Sequence, residues 1–280
     1  MPRIFDRIFP DTEGFVLTYA GLLEAAQSYT EFVQSPNAAI NVLEVAYFLA
    51  HVAYTTEDLM YSAERDGSQY SPEKYCQRTP EVGCAPGGNY YGRGLLYLRW
   101  NFNYYECAKA IGMDIFSNPD VALQSPVTAW KTAFWMWFDL GIHEMSTLPN
   151  PFALPTDKLV GEVECGNYPS AAAANAARVA KFKSIAKILN AKGVNKLMLS
   201  CASDSEGLLA AEDNANEIVA TARLLGSETK ATANAADWIS VAVLGVAMTA
   251  FVVVAVIKHA AGHATPNVEN GDYALLDTYG

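Results

Sequence analysis

The sequence predicts a mainly α-helical globular unit over residues 1–202, followed by a single membrane-spanning helix. Three observations predict it. Apolar residues recur at helical spacing in several long segments, and strict alternation persists nowhere. Glycine and proline gather in one short stretch, CAPGGNYYGRG at 84–94, which reads as turns and loop between helical segments. Near the far end, residues 238–257 run for twenty positions without a charge.

Taken in chain order, AGLLEAAQSYTEFV and NVLEVAYFLAHVAY each place apolar residues on one helical face. VTAWKTAFWMWFDL is a further apolar helix, entered at Pro126. ANAARVAKFKSIAKILNAKG reads as an amphipathic helix that ends at Gly193. No internal repeat interrupts residues 1–202, so they form one unit. With 51% hydrophobic residues, a chain of 280 can bury a sizeable core. Residues 203–236 are alanine-rich and polar, and suit a juxtamembrane helix broken at Gly226 or a flexible stalk.

WISVAVLGVAMTAFVVVAVI is long enough to cross a bilayer, with Trp238 at one edge. The expected membrane segment is 237–258, and 259–280 forms a short tail. Lys258 and His259 follow the run directly, whereas Asp237 precedes it. By the positive-inside rule the tail is cytoplasmic and the globular unit extracellular or lumenal. The N-terminal MPRIFDRIFPDTEGF lacks an apolar signal core. Either a signal precedes this chain, or the helix inserts late as a tail anchor; the charge flanks favour the first. The tail also holds Tyr273-Ala-Leu-Leu276, which resembles a tyrosine-based sorting signal.

Charge narrows the partners. The formal net charge is −11, with no basic stripe, which sets nucleic acid aside. The 15 tyrosines and 5 tryptophans suit either an aromatic core or a sugar-binding surface. Five cysteines allow two disulfides and one spare thiol. Cys76 and Cys84 bracket a short polar loop that is easily stapled, and disulfides imply an oxidising compartment. There is no Cys-x-x-Cys, and the four histidines lie far apart, so no metal site is expected. No cofactor is expected either.

One polar stretch carries candidate chemistry. FLAHVAYTTEDLMYSAERD, 48–66, ends an apolar helix in Thr55, Thr56, Glu57, Asp58 and, later, Glu64. A pair of carboxylates held across a groove can hydrolyse a sugar polymer.

The residues from 84 onward, CAPGGNYYGRGLLYLRWNFNYYECAKAIGMDIFSNPDVALQSPVTAWKTAFWMWF, resemble the heart of a glycoside hydrolase family 19 chitinase. RIFDRIFPDTEGFVLTYAGLLEAAQSY resembles that family's opening, FLAHVAY the helix bearing its His-Glu-Thr motif, and VECGNYPSAAAANAARVAKF its closing segment. The resemblance covers about residues 3–202. It implies a mainly α, two-lobed, lysozyme-like fold with a central cleft, and chitin or related N-acetylglucosamine oligomers as ligands. It also implies disulfides Cys76–Cys84 and Cys165–Cys201, which leaves Cys107 free.

The resemblance assigns roles residue by residue. Family members invert the anomeric centre with a general acid and a general base. The His-Glu-Thr motif falls on Tyr54, Thr55 and Thr56, so the acid is replaced by Thr55. A threonine hydroxyl supplies no proton near neutral pH. The base position, nine residues on, holds Glu64. Glu57 sits about 200° round the helix from Thr55. A loop could bring Glu57 or Asp58 back; otherwise they are solvated charges at a helix end. Tyr97 and Arg99 stand where the family has Gln and Ser, and Arg99 would crowd the site or pair with Glu64. Asn103 matches a substrate-binding Asn, while Tyr91, Arg93 and Trp100 match the loop and floor around it. Val160 replaces a further sugar-binding Asn. Glu164 and Arg178 match a buried ion pair beside the acid. The span from Trp137 to Glu164 is shorter than usual in the family, which would remodel one wall.

Three functions fit. One is a membrane-anchored chitinase-like protein with lost or weak hydrolysis, binding chitin or acting as a structural surface protein. Another is an active endochitinase with an unusual acid. The third is a non-sugar interaction subunit with membrane-protein partners.

Overall fold

Helix-start chemistry sets much of the architecture. In the computed structural model, which describes residues 2–10, 17–146, 151–166 and 168–201 apart from the side chain of Glu162, three helices begin at side-chain caps. After α1 (Pro2–Ile8), Thr18 Oγ1 accepts the Gly21 amide at 3.1 Å and opens α2 (Tyr19–Ala26). Asn37 accepts the Ala39 amide at 3.0 Å and opens α3 (Ala38–Thr55). α4 (Asn101–Ile111) ends at Gly112, whose φ of 68° is the left-handed cap that glycine adopts without strain. Ser125 caps α5 (Pro126–Asp139), and Pro126 takes the first helical position, where its missing N–H is harmless. The short α6 (Ile142–Met145), then α7 (Ala153–Glu164) and α8 (Pro169–Ile188) complete the described chain. Among the described residues there is no strand, only isolated bridges from Arg93 to Ala63 and to Leu98.

Two hydrophobic cores result. The larger gathers Phe48 of α3 with Phe32, Phe134, Trp130 and Trp137, ring centroids 4.7–6.1 Å apart. Emptying such an aromatic position costs about 3–5 kcal/mol. The smaller core packs Tyr75, Tyr90, Leu98, Tyr104, Cys107, Ile115, Ala122 and Trp135. Helix α5 serves both, giving Trp130 to one and Trp135 to the other. Among the described residues α3 is the one helix long and apolar enough to cross a membrane, and it lies in the larger core. The segments expected at 203–236, 237–258 and 259–280, with the charge-free run and the sorting-like motif, lie outside the described residues.

A buried carboxylate ties this core together. Glu44 of α3 accepts the Val33 amide at 3.0 Å, the Trp137 indole N–H at 3.3 Å and His143 Nδ1 at 2.6 Å. The hydrogen bond to Glu44 raises the pKa of His143, with the charges of Glu44, Glu144 and Glu31 adding to it against burial.

Two helices differ from expectation. AGLLEAAQSYTEFV does not run as one helix: α2 stops at Ala26, and a series of turns follows to Val33, whose φ is 56°. α8 stops at Ile188, with Asn190 in the left-handed region, short of Gly193. Its inward stripe is Ala171, Asn175, Arg178, Phe182 and Ile185. Two of those five side chains are polar and partnered, so burial and hydropathy do not coincide along this helix.

Candidate functional site

Thr55 is the last residue of α3 and is half-buried. α8 packs along α3 and brings Arg178 to it. Arg178 grips Glu164 side-on, with Nε donating at 2.8 Å and Nη2 at 2.6 Å. Both partners are buried, a geometry that makes an ion pair worthwhile inside a protein. Nη1 donates to His51 Nδ1 at 3.2 Å and lies 3.5 Å from Thr55 Oγ1. Tyr54 covers one guanidinium face at 4.3 Å. Burial, and then Arg178, push the His51 pKa well below its ordinary value. The imidazole is therefore neutral, with Nδ1 accepting and the proton on Nε2.

Beyond Thr55 the chain turns through three successive left-handed residues, Glu57 (φ 49°), Asp58 (59°) and Leu59 (69°). None is glycine, and each such residue costs on the order of 1 kcal/mol or more. The turn is held from several sides. Thr56 Oγ1 accepts the Leu59 amide at 2.8 Å, the Asp58 amide reaches Ala53 O at 2.7 Å, and the Tyr61 amide reaches Thr56 O at 2.9 Å. Glu57 pairs with Arg65, and Asp58 pairs with Lys181 of α8 at 2.7 Å. Neither is a lone solvated charge, and each has its own cation.

Glu64 is fixed by the next loop. Its amide donates to Gly92 O at 2.9 Å, and its Oε2 accepts the Gly92 amide at 2.7 Å. Gly92 permits this closeness, because a Cβ there would stand 2.7 Å from Tyr97 Cβ and 3.0 Å from Glu64 Cγ. Oε1 accepts from Arg99 Nε at 2.8 Å, Arg99 Nη2 at 2.6 Å and the Tyr75 hydroxyl at 3.5 Å. Of the two outcomes expected for Arg99, ion pairing with Glu64 is the one observed. Three of these four side-chain contacts crowd Oε1, while Oε2 takes the Gly92 amide alone.

The remaining predicted residues fall into three groups. Tyr97 and Trp100, with φ of 53° and 73°, bracket Arg99, and Asn103 Nδ2 donates to Arg99 O at 2.9 Å. Burial first, then the charges of Glu57 and Glu64, push the Tyr97 phenol up to about 12. The Trp100 ring meets Tyr75 edge-on and stacks beside Phe102. Arg93, at 4% exposure, donates to Asp120, Asn89 O and Tyr104 and lies over the Tyr91 ring, bracing the loop from within. Val160 sits at a non-helical kink inside α7.

Cys76–Cys84 and Cys165–Cys201 are both disulfides, and Cys107 is a buried free thiol in the smaller core. Burial raises its pKa well above the ordinary thiol value. Among the described residues no group of three His, Cys, Asp or Glu side chains could hold a metal ion.

Sequence reasoning missed His51, Tyr75, Gly92, Arg65 and Lys181. Two carried a signal. His51 lies four residues before Thr55, on the same helical face, and Lys181 lies three after Arg178. Tyr75 and Gly92 reach Glu64 through loop folding, which leaves no periodic trace.

A helical domain with two cores and a polar site at the end of its central helix is the class of the lysozyme-like glycoside hydrolases. The model of a family described as Chitinase class I, Glyco_hydro_19, matches residues 9–206, and the chain belongs to that family. Endochitinase 1 of Theobroma cacao is 34% identical over 182 residues, 62% of this chain and 53% of its own length. Endochitinase A2 of Pisum sativum is 32% identical over 182 residues, 62% and 52%. The chain thus spans about half the length of these curated relatives. Among solved structures, a Family GH19, Class IV chitinase from Zea mays aligns with a TM-score of 0.62 at 27% identity, covering 71% of this chain and 96% of that one. Chitinase C from Streptomyces griseus aligns at 0.57 and 31%, covering 68% and 76%. The fold is the mainly helical, lysozyme-like chitinase fold.

Proposed function

We propose that this chain is a chitinase-like saccharide-binding protein in which hydrolysis is lost or weak. One observation carries the reading. Thr55 stands where the acid is expected, and Glu64, at the base position, is ion-paired through Oε1 with Arg99, with Tyr75 on the same oxygen and the Gly92 amide on Oε2. Inverting hydrolysis needs a protonated carboxyl on one side and a carboxylate free to hold water on the other. Family membership and relatives named as chitinases support chitin or related N-acetylglucosamine polymers as the ligand class.

The anchor and location belong to the same proposal. The charge-free run at 238–257 and its flanking charges support a single membrane span with the globular unit extracellular or lumenal. Two disulfides suit that oxidising side.

The test is a paired measurement on the 280-residue chain in nonionic detergent. Chitin hexamer should bind, while release of reducing ends stays at least two orders of magnitude below an endochitinase of this family. Cleavage at a family-like rate overturns the reading.

One observation favours a non-sugar interaction subunit instead. Several tyrosine faces are covered by the chain's own cations: Arg65 lies 4.3 Å from the Tyr61 ring, Lys74 3.3 Å from Tyr70 and Arg93 3.6 Å from Tyr91. A ring so covered offers less surface to a sugar. Absence of hexamer binding would select that reading.

A further inference from the structure

The Arg178 guanidinium has one under-used edge. Its Nε/Nη2 edge is closed by Glu164, and one face is closed by Tyr54. Among the acceptors of Arg178, those on Nη1 are the weakest: a neutral imidazole nitrogen at 3.2 Å and a threonine hydroxyl at 3.5 Å. Both are uncharged, although a guanidinium bonds most strongly to oxyanions. The neighbouring cation of α8, Lys181, is held by Asp58. Arg178 is 2% exposed, so its charge is little screened. Thr55, which flanks Nη1, is half-buried and so less enclosed than Arg178. Its hydroxyl can rotate to donate as well as accept.

We propose that Arg178 Nη1 and Thr55 Oγ1 form a binding site for a monocarboxylate. One carboxylate oxygen takes the Nη1 hydrogen and the other takes the Thr55 hydroxyl hydrogen. The carboxylate comes either as a small free acid or as a group borne on a sugar residue in the cleft. Only the second source rests on the saccharide-binding reading above. A single charge-assisted hydrogen bond with one neutral partner sets affinity for the free acid at roughly 10–80 mM.

The experiment uses the 280-residue chain in nonionic detergent at pH 7, with sodium acetate titrated against sodium chloride at equal ionic strength. Acetate at about 0.3 M should raise the melting midpoint by about 2–8 °C over chloride. Thr55→Glu, which supplies a carboxylate from the chain itself, should abolish the difference. Thr55→Val removes the hydroxyl donor, keeps the volume and should weaken acetate binding several-fold. Equal responses to acetate and chloride, or an acetate response retained in both variants, overturn the proposal. A competition arm separates the sources. A β-1,4 disaccharide of N-acetylglucosamine bearing a 3-O-lactyl carboxylate competes with acetate if the group arrives on sugar, whereas the unsubstituted disaccharide does not. Thr55-dependent acetate binding without such competition assigns the site to free small acids. Because the acetate readout needs no chitin, it stands even if chitin binding fails.

Discussion

Thr55 and Glu64, the acid and base positions of the proposed function, are held by surroundings built in opposite ways. At Thr55 a hydroxyl stands before a buried, hydrogen-bonded array of Glu164, Arg178 and His51. On the base side the carboxylate is present, but it is held by an arginine from the adjacent loop. On the proposed reading, the first arrangement keeps architecture without the acid, and the second keeps the carboxylate but engages it with a cation. The two differ in burial as well: Arg178 and Glu164 are nearly inaccessible, whereas Arg99 keeps 29% of its side chain exposed. Burial decides how much each pair matters to folding.

The largest effect expected follows from that contrast. Arg178→Ala strands a buried carboxylate and should lower unfolding free energy by about 3–5 kcal/mol. Arg99→Ala frees a partly exposed partner and should change it by about 1 kcal/mol or less. Urea denaturation of the two variants side by side checks this. Similar losses would mean that the two sides are not distinct in the way described.

A smaller effect is expected in activity, and it sharpens the same contrast. Thr55→Glu refills the acid side into a standing environment, yet Glu64 stays held, so hexamer cleavage should rise little. Adding Arg99→Ser and Tyr97→Gln should raise it by on the order of 10²-fold, more than the separate changes combined, because groups acting as a unit are non-additive. Reducing-end release measures it. A large gain from Thr55→Glu alone would show that Arg99 does not block the base.

The smallest effect lies away from both sides, at Glu44. The His143 pKa is raised in the folded protein by its bond to Glu44. Its contribution is thus fully present below the unfolded value near 6.5, and is lost as pH rises through the higher folded value. Stability should fall across that interval. His143→Gln should flatten this part of the pH profile, and thermal melts from pH 5.5 to 8.5 read it. A profile unchanged by the substitution would remove the Glu44 bond as its cause.

What the sequence made legible was whatever has a period or a cap. α3 and α5 follow their apolar faces, Ser125-Pro126 marks the start of α5, and Cys76–Cys84 closes a short loop. Arg99 meeting Glu64 was one of two stated outcomes because both residues could be placed in a known motif order. The rest depends on contacts between loops. Arg93 carries the same charge as Arg99 in the same segment, yet turns inward onto Asp120 and Asn89 O, and no spacing distinguishes them. The left-handed run at Glu57, Asp58 and Leu59 is equally silent, since Glu and Leu ordinarily avoid that region and a single Asp does not mark a run of three. α8 misled for a different reason, because its inward face holds Asn175, bonded to Ser200 and Cys201, and Arg178.

The Cys165–Cys201 bond links the foot of α7 to the last described residue and encloses α8 in a covalent ring. Consider tension applied to the chain beyond residue 201. Without the bond, the pull would reach α8 through the 189–200 segment and peel it from α3 one turn at a time, drawing Arg178 out of its place. With the bond, load entering at Cys201 crosses to Cys165 and passes into α7, and α8 lies in a slack branch. Arg178 is thereby relieved of the pull, whereas Glu164, one residue before Cys165, stands at the head of the loaded branch.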